Sequence, residues 1–237
     1  MLKRTFDLLV SGIALTVLLP VFAVLAIWIR IDSPGPVMFR QERVGRFGVP
    51  FRIHKFRTMY WNRPKQGPSL TVGDDVRITR CGRFLRRAKL DELPQLLDVF
   101  LGDMSIVGPR PEVPGYVAHW SEQDRRVILS VRPGITDLAS IRFRNESEIL
   151  KHSSDPEHTY LHEILPEKLC LYRDYVEHRS MLFDLQVLTQ TVFAVLFNKG
   201  VAPSREGLPD HLARTAQQMT ADADDRNAAR KKTTPQS

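Results

Sequence analysis

The stretch from Leu8 to Ile29 carries no charged residue across its 22 positions. At helical rise it extends about 33 Å, enough to cross the hydrocarbon core of a bilayer. A helix apolar on every face at this length is a poor fit to the core of a domain this size. The run is too long for the apolar region of a cleaved leader, and no small-x-small site follows it. Lipid is therefore its natural solvent. Pro20 lies near the middle, where it removes a backbone donor and crowds the preceding turn, favouring a kink or break. Each arm would then reach about 15 to 18 Å, half a bilayer. Lys3 and Arg4 precede the run, and Arg30, Arg40, Arg43 and Arg46 follow it. A single pass would put one basic flank on the outer face, against the positive-inside tendency, whereas a re-entrant hairpin keeps both in the cytoplasm. Kinked spanning helices also tolerate proline, so the residues alone leave both readings open.

The remaining chain is long enough for one domain with appendages. Its two cysteines, Cys81 and Cys170, have no metal-like spacing and fit a reducing compartment. His158 and His162 are four apart, but with no third ligand in view they read as a surface pair. The net charge is +7, and its location is more telling than its size. Between Glu42 and Glu92 there are 13 Lys or Arg against 5 Asp or Glu, more than the whole excess of the chain. Such a field calls for anionic partners: nucleic acid, lipid headgroups or phosphorylated substrates.

Within that segment, Val37–Glu42 and Pro50–Phe56 read as strands of a hairpin around Gly45–Gly48, close to the membrane surface. Lys55 and Arg57 close it. Asn62 to Asp75 reads as a mobile loop, either a lid or a passive connector. Asp75 to Lys89 is expected to be helical, with Arg80, Arg83 and Arg87 on one face and Arg86 beside them. Arginines so placed repel one another unless a polyanion sits among them.

Asp91 and Glu92 come next, followed by Pro94 and an apolar helix. The plain role for Asp91 is an N-cap, with Glu92 a first-turn acid and Pro94 in the first turn. The chemical role is larger: an ionised carboxylate among arginines is a competent nucleophile or Mg²⁺ ligand. The stiff turn Gly108-Pro109-Arg110-Pro111 then offers a guanidinium suited to bidentate phosphate contact, while Asp103 reads as a turn aspartate.

Lys89-Leu-Asp-Glu-Leu-Pro-Gln-Leu-Leu-Asp-Val99, with Gly102-Asp-Met-Ser-Ile-Val-Gly-Pro-Arg-Pro111 after it, closely resembles the bacterial sugar transferases, the monotopic polyprenyl-phosphate phosphoglycosyl transferases. Arg40–Gly45, Lys55–Met59 and Val131–Thr136 resemble the same family, over roughly residues 1 to 200. The resemblance implies a re-entrant helix-break-helix at residues 1–31, with both termini cytoplasmic. It implies transfer of a sugar 1-phosphate from a UDP-sugar to polyprenyl (undecaprenyl) phosphate, with release of UMP. On this match Asp91 is the nucleophile, forming an aspartyl phosphosugar intermediate and binding Mg²⁺, and Glu92 assists the metal or the acceptor. Arg86 and Arg110 match arginines near the phosphates, and Lys55, Arg57 and Arg132 are further substrate-binding candidates. Two positions depart from the pattern. Leu19, not serine, precedes Pro20, and Asp137-Leu-Ala-Ser-Ile-Arg142 replaces the frequent Gly-Trp-Ala-Gln after Thr136, so no sugar preference carries over.

Tyr116 to Leu129 and Pro166 to Glu177 are expected to be helices, and Phe143 to Asp155 a loop with some helix. Ser180 to Phe197 is apolar but for Asp184 and a few neutral polar residues, and suits either the membrane interface or the core. Residues 203–237 read as a disordered tail. The fold class is expected to be mixed α/β, mainly helical with a few short strands, and the resemblance implies that residues 32–200 form a phosphoglycosyl transferase domain on the cytoplasmic face of the bacterial inner membrane. The resemblance allows a homodimer and implies that the product is the first lipid-linked intermediate of a capsule, exopolysaccharide or O-antigen. The rival is a membrane-anchored binding protein for anionic lipid or nucleic acid. A binder has no use for Asp91-Glu92.

Overall fold

The computed structural model describes residues 2–61 and 75–197; the expected loop at 62–74 and tail at 203–237 lie outside these. Helix α1 runs from Leu2 to Asp32 and includes Pro20. It is long and apolar enough to cross a membrane. Its apolar middle faces outward, with Ile13, Val17, Leu19 and Val24 all exposed.

Both ends of α1 are fastened to the rest of the protein. At the start, Lys3 pairs with Asp184, Arg4 donates to the carbonyls of Val99 and Phe100, and the Asp7 carboxylate accepts the backbone N–H of Ile106. At the far end, Leu25 and Ile29 pack with Phe56, Cys81 and Leu85. Arg57 there donates to the carbonyls of Ile29, Ser33 and Pro34 and so closes the C-terminal end of the helix.

After α1 come β1 (Met38–Val44) and β2 (Pro50–Phe56), antiparallel with Met38 opposite Phe56 and Val44 opposite Pro50. The expected hairpin is thus present. Helix α2 is shorter than expected, Arg80–Ala88. Thr79 takes the N-cap by accepting the N–H of Gly82, so Asp75 to Ile78 stay outside the helix. Lys89 then turns left-handed, φ 58°, and ends it.

A single 3₁₀ turn, Leu90–Glu92, follows, and helix α3 begins only at Gln95, running to Leu101. Asp91 therefore caps no helix: the left-handed Lys89 shifts the carboxylates onto their own turn, and Pro94 holds the N-cap position. Beyond α3, β3 (Ser105–Val107) pairs in parallel with β4 (Gly134–Thr136). The two strands meet through Gly108 and Gly134, where a Cβ on Gly134 would lie 2.1 Å from the Gly108 nitrogen.

Between β3 and β4 the expected single helix from Tyr116 to Leu129 is two, α4 (Pro114–Val117) and α5 (Glu122–Ile128), because Ser121 caps a fresh start by accepting the N–H of Asp124. Helices α6 (Leu138–Arg142), α7 (Glu146–Lys151), α8 (Pro156–Thr159), α9 (Leu165–His178) and α10 (Met181–Phe197) complete the described chain, with a π-helical turn, Tyr160–Ile164, leading into α9. The main core gathers Trp120, Ile128, Leu150, Tyr160, Leu165 and Tyr172 under α9, and a second core of Ile53, Val99, Met104, Val107, Tyr175 and Val187 joins β2, α3, β3 and α10. The architecture is mixed α/β and mostly helical. Helix α10 packs on the core through Val187 and Ala194, and its exposed side is also apolar at Leu182, Leu185, Val192 and Phe193.

Candidate active site

The centre of the site is the 3₁₀ turn that carries Asp91 and Glu92. Lys55, near the end of β2, reaches Glu92 at 2.9 Å. Arg110 grips the same carboxylate with both terminal nitrogens, one on each oxygen. A fork of this kind is the strongest neutral-pH geometry for a guanidinium and a carboxylate. Burial alone would push Glu92 up, but Arg110 and Lys55 overrule it and hold the carboxyl well below its usual range.

Asp91 lies in the opposite state. It is buried, yet among the described residues no hydrogen bond or ion pair joins its carboxylate. Desolvation pushes its pKa above the ordinary value, the Glu92 charge adds to that, and Lys55, Arg86 and Lys89 oppose it. Arg86 approaches from α2. Its Nε donates to the Thr58 hydroxyl at 2.8 Å, and its terminal amino groups have no partner among the described residues. It is therefore anchored at one point, with its remaining donors on a group within electrostatic reach of Asp91.

The turn that bears Arg110 is itself braced. Val44 donates to the carbonyl of Glu112, and Arg43 donates to the carbonyl of Pro111 at 3.1 Å. The Glu112 carboxylate lies 3.7 Å from Arg43 and accepts the Tyr160 hydroxyl at 2.8 Å. Gly134 donates to the carbonyl of Pro109. Under β2, Asp98 of α3 accepts the backbone N–H of His54 at 2.9 Å and pairs with its ring Nδ1 at 2.6 Å. This staple fixes Lys55, the next residue, against the turn.

The structure thus brings together Asp91, Glu92, Lys55, Arg86 and Arg110. It does not bring Arg57 or Arg132 to them. Arg57 is buried against the end of α1, as above, and Arg132 donates to the carbonyl of Gly102 at the end of α3, 2.7 Å away. Sequence reasoning missed Thr58, Arg43, Glu112, His54 and Asp98. Thr58 lies inside a motif already singled out, and Glu112 adjoins the Arg110 turn; His54 and Asp98 are 44 residues apart, with no local signal to join them.

Asp137 is also buried, at the N-cap of α6, where it accepts from the backbone and hydroxyl of Ser140. Its pKa is raised by burial, against which Ser140 and the charge of Arg110 act. The departure from the expected pattern after Thr136 therefore places a carboxylate within electrostatic reach of Arg110.

Among the described residues no three His, Cys, Asp or Glu are grouped to hold a metal, and His158 and His162 stack on each other with ring centres 4.1 Å apart. A magnesium ion needs no such cage. It keeps several waters and takes one or two carboxylates with substrate phosphate oxygens. Asp91 fits that role, having both oxygens unengaged, and Glu92 does not, having both oxygens held.

The bacterial sugar transferase family model matches residues 1–198. Over 200 residues the chain is 36% identical to the UDP-glucose:undecaprenyl-phosphate glucose-1-phosphate transferase of Caulobacter vibrioides, covering 82% of this chain and 69% of that one. It is 36% identical over 206 residues to the protein of the same description from Escherichia coli K12, covering 84% of this chain but 41% of that one. Over 225 residues it is also 36% identical to the uncharacterized sugar transferase EpsL of Bacillus subtilis, covering 94% and 98%. The chain thus spans about two fifths of the E. coli relative and nearly all of the B. subtilis one. With its central turn, arginines and N-terminal helix all inside the matched region, the chain belongs to the bacterial sugar transferase family.

Proposed function

We propose that this protein moves a sugar 1-phosphate from a UDP-sugar to undecaprenyl phosphate, releasing UMP, through a covalent intermediate on Asp91. The observation that carries the reading is the contrast within one turn: Glu92 is neutralised by Lys55 and Arg110, and the buried Asp91 beside it has no partner among the described residues. An Asp carboxylate so placed is an available nucleophile in a cationic setting. A carboxylate oxygen of Asp91 attacks the β-phosphorus. The bond from that phosphorus to the bridging oxygen breaks, and UMP departs with the bridging oxygen. A phosphate oxygen of the acceptor then attacks the same phosphorus, freeing the Asp91 carboxylate and leaving the sugar on a lipid diphosphate.

Arg86 binds the phosphates through its free amino groups, and Arg110 keeps further donors beyond the two spent on Glu92. Glu92 holds both cations in register beside Asp91. When bound through Asp91, Mg²⁺ offsets the charge of the diphosphate.

The reaction is placed on the cytoplasmic face of the inner membrane, with α1 as a re-entrant element bent at Pro20. The support is that both ends of α1 are fastened to one domain, through Lys3 and Arg4 at one end and Leu25 and Ile29 at the other. A straight spanning helix would carry one of those ends to the opposite face, away from its partners.

The test is UMP release from a panel of UDP-sugars, with Mg²⁺ and undecaprenyl phosphate, by the full chain in nanodiscs. UMP appearing with one sugar and only with the lipid acceptor is the expected result. Asp91→Asn is expected to lower turnover by a factor of about 10³ or more while leaving the protein folded. Undiminished UMP release by that variant would remove Asp91 from the nucleophile's role.

A further inference from the structure

Helix α2 serves the active site with one arginine and exposes three others. Arg86 turns toward Thr58 and Asp91, whereas Arg80, Arg83 and Arg87 are exposed and make no ion pair or hydrogen bond with any described residue. At about 100° per residue, these three and Phe84 fall within an arc of roughly 100° on the helix surface. Phe84 is 49% exposed, and its ring lies 5.3 Å from that of Trp28, itself 40% exposed, near the end of α1. The opposite face of α2 is buried: Cys81 and Leu85 pack against Leu25 and Ile29 of α1. The backbone N–H of Cys81 also binds the Asp32 carboxylate.

This arrangement fixes the depth of α2. It lies against the last turns of an apolar helix, beside a tryptophan, and tryptophan favours the level of lipid headgroups. Three guanidinium groups with no partner among the described residues repel one another in water, and an anionic surface offsets that cost by about 1 kcal/mol for each cation near it. Aromatic rings on one flank and arginines on the other match the two sides of a membrane interface.

We propose that the exposed face of α2 docks on anionic phospholipid headgroups of the leaflet that α1 enters, with Arg80, Arg83 and Arg87 on lipid phosphates and the Phe84–Trp28 pair at the acyl boundary. The inference rests on the membrane-inserted reading of α1 given above. The acceptor lipid is a different occupant: its phosphate must reach Asp91, on the side that Arg86 serves.

The test places the full chain in nanodiscs of phosphatidylcholine mixed with phosphatidylglycerol, then extracts it gently and measures the two lipids that stay bound by mass spectrometry. The wild-type chain is expected to retain phosphatidylglycerol at roughly fivefold or more over its share in the disc, the factor one surface arginine supplies. The triple variant Arg80→Gln, Arg83→Gln, Arg87→Gln should retain the lipids in proportion to the disc. The triple lysine variant should keep the preference, which separates lost charge from lost fold. UMP release in discs of phosphatidylcholine alone, and the KM for undecaprenyl phosphate, should be the same in all three proteins. Equal phosphatidylglycerol retention by wild type and the glutamine variant would overturn the proposal, even with UMP release intact. A raised KM for undecaprenyl phosphate with unchanged phosphatidylglycerol retention would overturn it too and assign the arginines to the acceptor. If no donor gave UMP, the lipid measurement would still decide the docking face.

Discussion

Asp91 and Glu92 share a turn, a burial and a chemistry, and their partners alone separate them. Glu92 contributes stability that is complete above about pH 4.5, its ordinary value, and is lost as the pH falls through its depressed native pKa. Asp91 has the opposite sign. Its raised pKa means that protonation, and with it loss of the proposed nucleophile, begins at a higher pH than for an ordinary aspartate at 3.8. Part of that elevation comes from the Glu92 charge. Glu92→Gln is therefore expected to move the acid limb of kcat/KM to lower pH, because it removes a repelling charge and leaves Lys55 and Arg110 free to favour the ionised Asp91. A pH–rate profile of the two proteins checks this, and an acid limb that stays in place or moves up would contradict it. The pair of carboxylates and the surrounding arginines are legible in the sequence. Which carboxylate is free is not, because the answer depends on Lys55, 37 positions earlier, and Arg110, 18 positions later.

At the scale of elements, what the sequence shows is what short spacing decides. The β1–β2 hairpin follows from a Gly-rich turn between two short runs, and α9 from its own periodicity. The misplaced starts of α2 and α3 trace to two residues, the capping Thr79 and the left-handed Lys89, whose conformations propensity does not dictate. The parallel β3–β4 pair was hidden for a different reason: its strands are three residues each, too short to show a period, and a chain of small helices separates them. Arg57 shows how element packing reassigns a residue. Inside a basic motif it reads as a phosphate ligand, but its guanidinium closes the end of α1 through three backbone carbonyls. Arg57→Ala is expected to destabilise the fold by about 3 kcal/mol, because the carbonyls of Ser33 and Pro34 lose its guanidinium. That is roughly 10 °C in Tm for a domain of this size. The KM for the sugar donor should stay within about twofold, since lost packing and not a lost phosphate contact would be read. A thermal melt in detergent alongside donor kinetics checks both; a large rise in KM at unchanged Tm would return Arg57 to the substrate.

Across the whole molecule, the domain that carries the site also holds both ends of the apolar helix. A cysteine placed just before Leu2 is expected to resist membrane-impermeant maleimide outside intact spheroplasts and to react after permeabilisation. Cys81 and Cys170 are buried and add little background. Labelling from outside would contradict the re-entrant reading. The same fastening has a consequence for the order in which the chain is made. Lys3 leaves the ribosome 181 positions ahead of its partner Asp184. At about 5 to 20 residues per second, the wait is on the order of 10 to 40 s. For that interval α1 has lipid to enter but not yet Asp184 to hold it, so flanking charge acts on its orientation before the latch does, and the latch that later secures it can only ratify a choice already made.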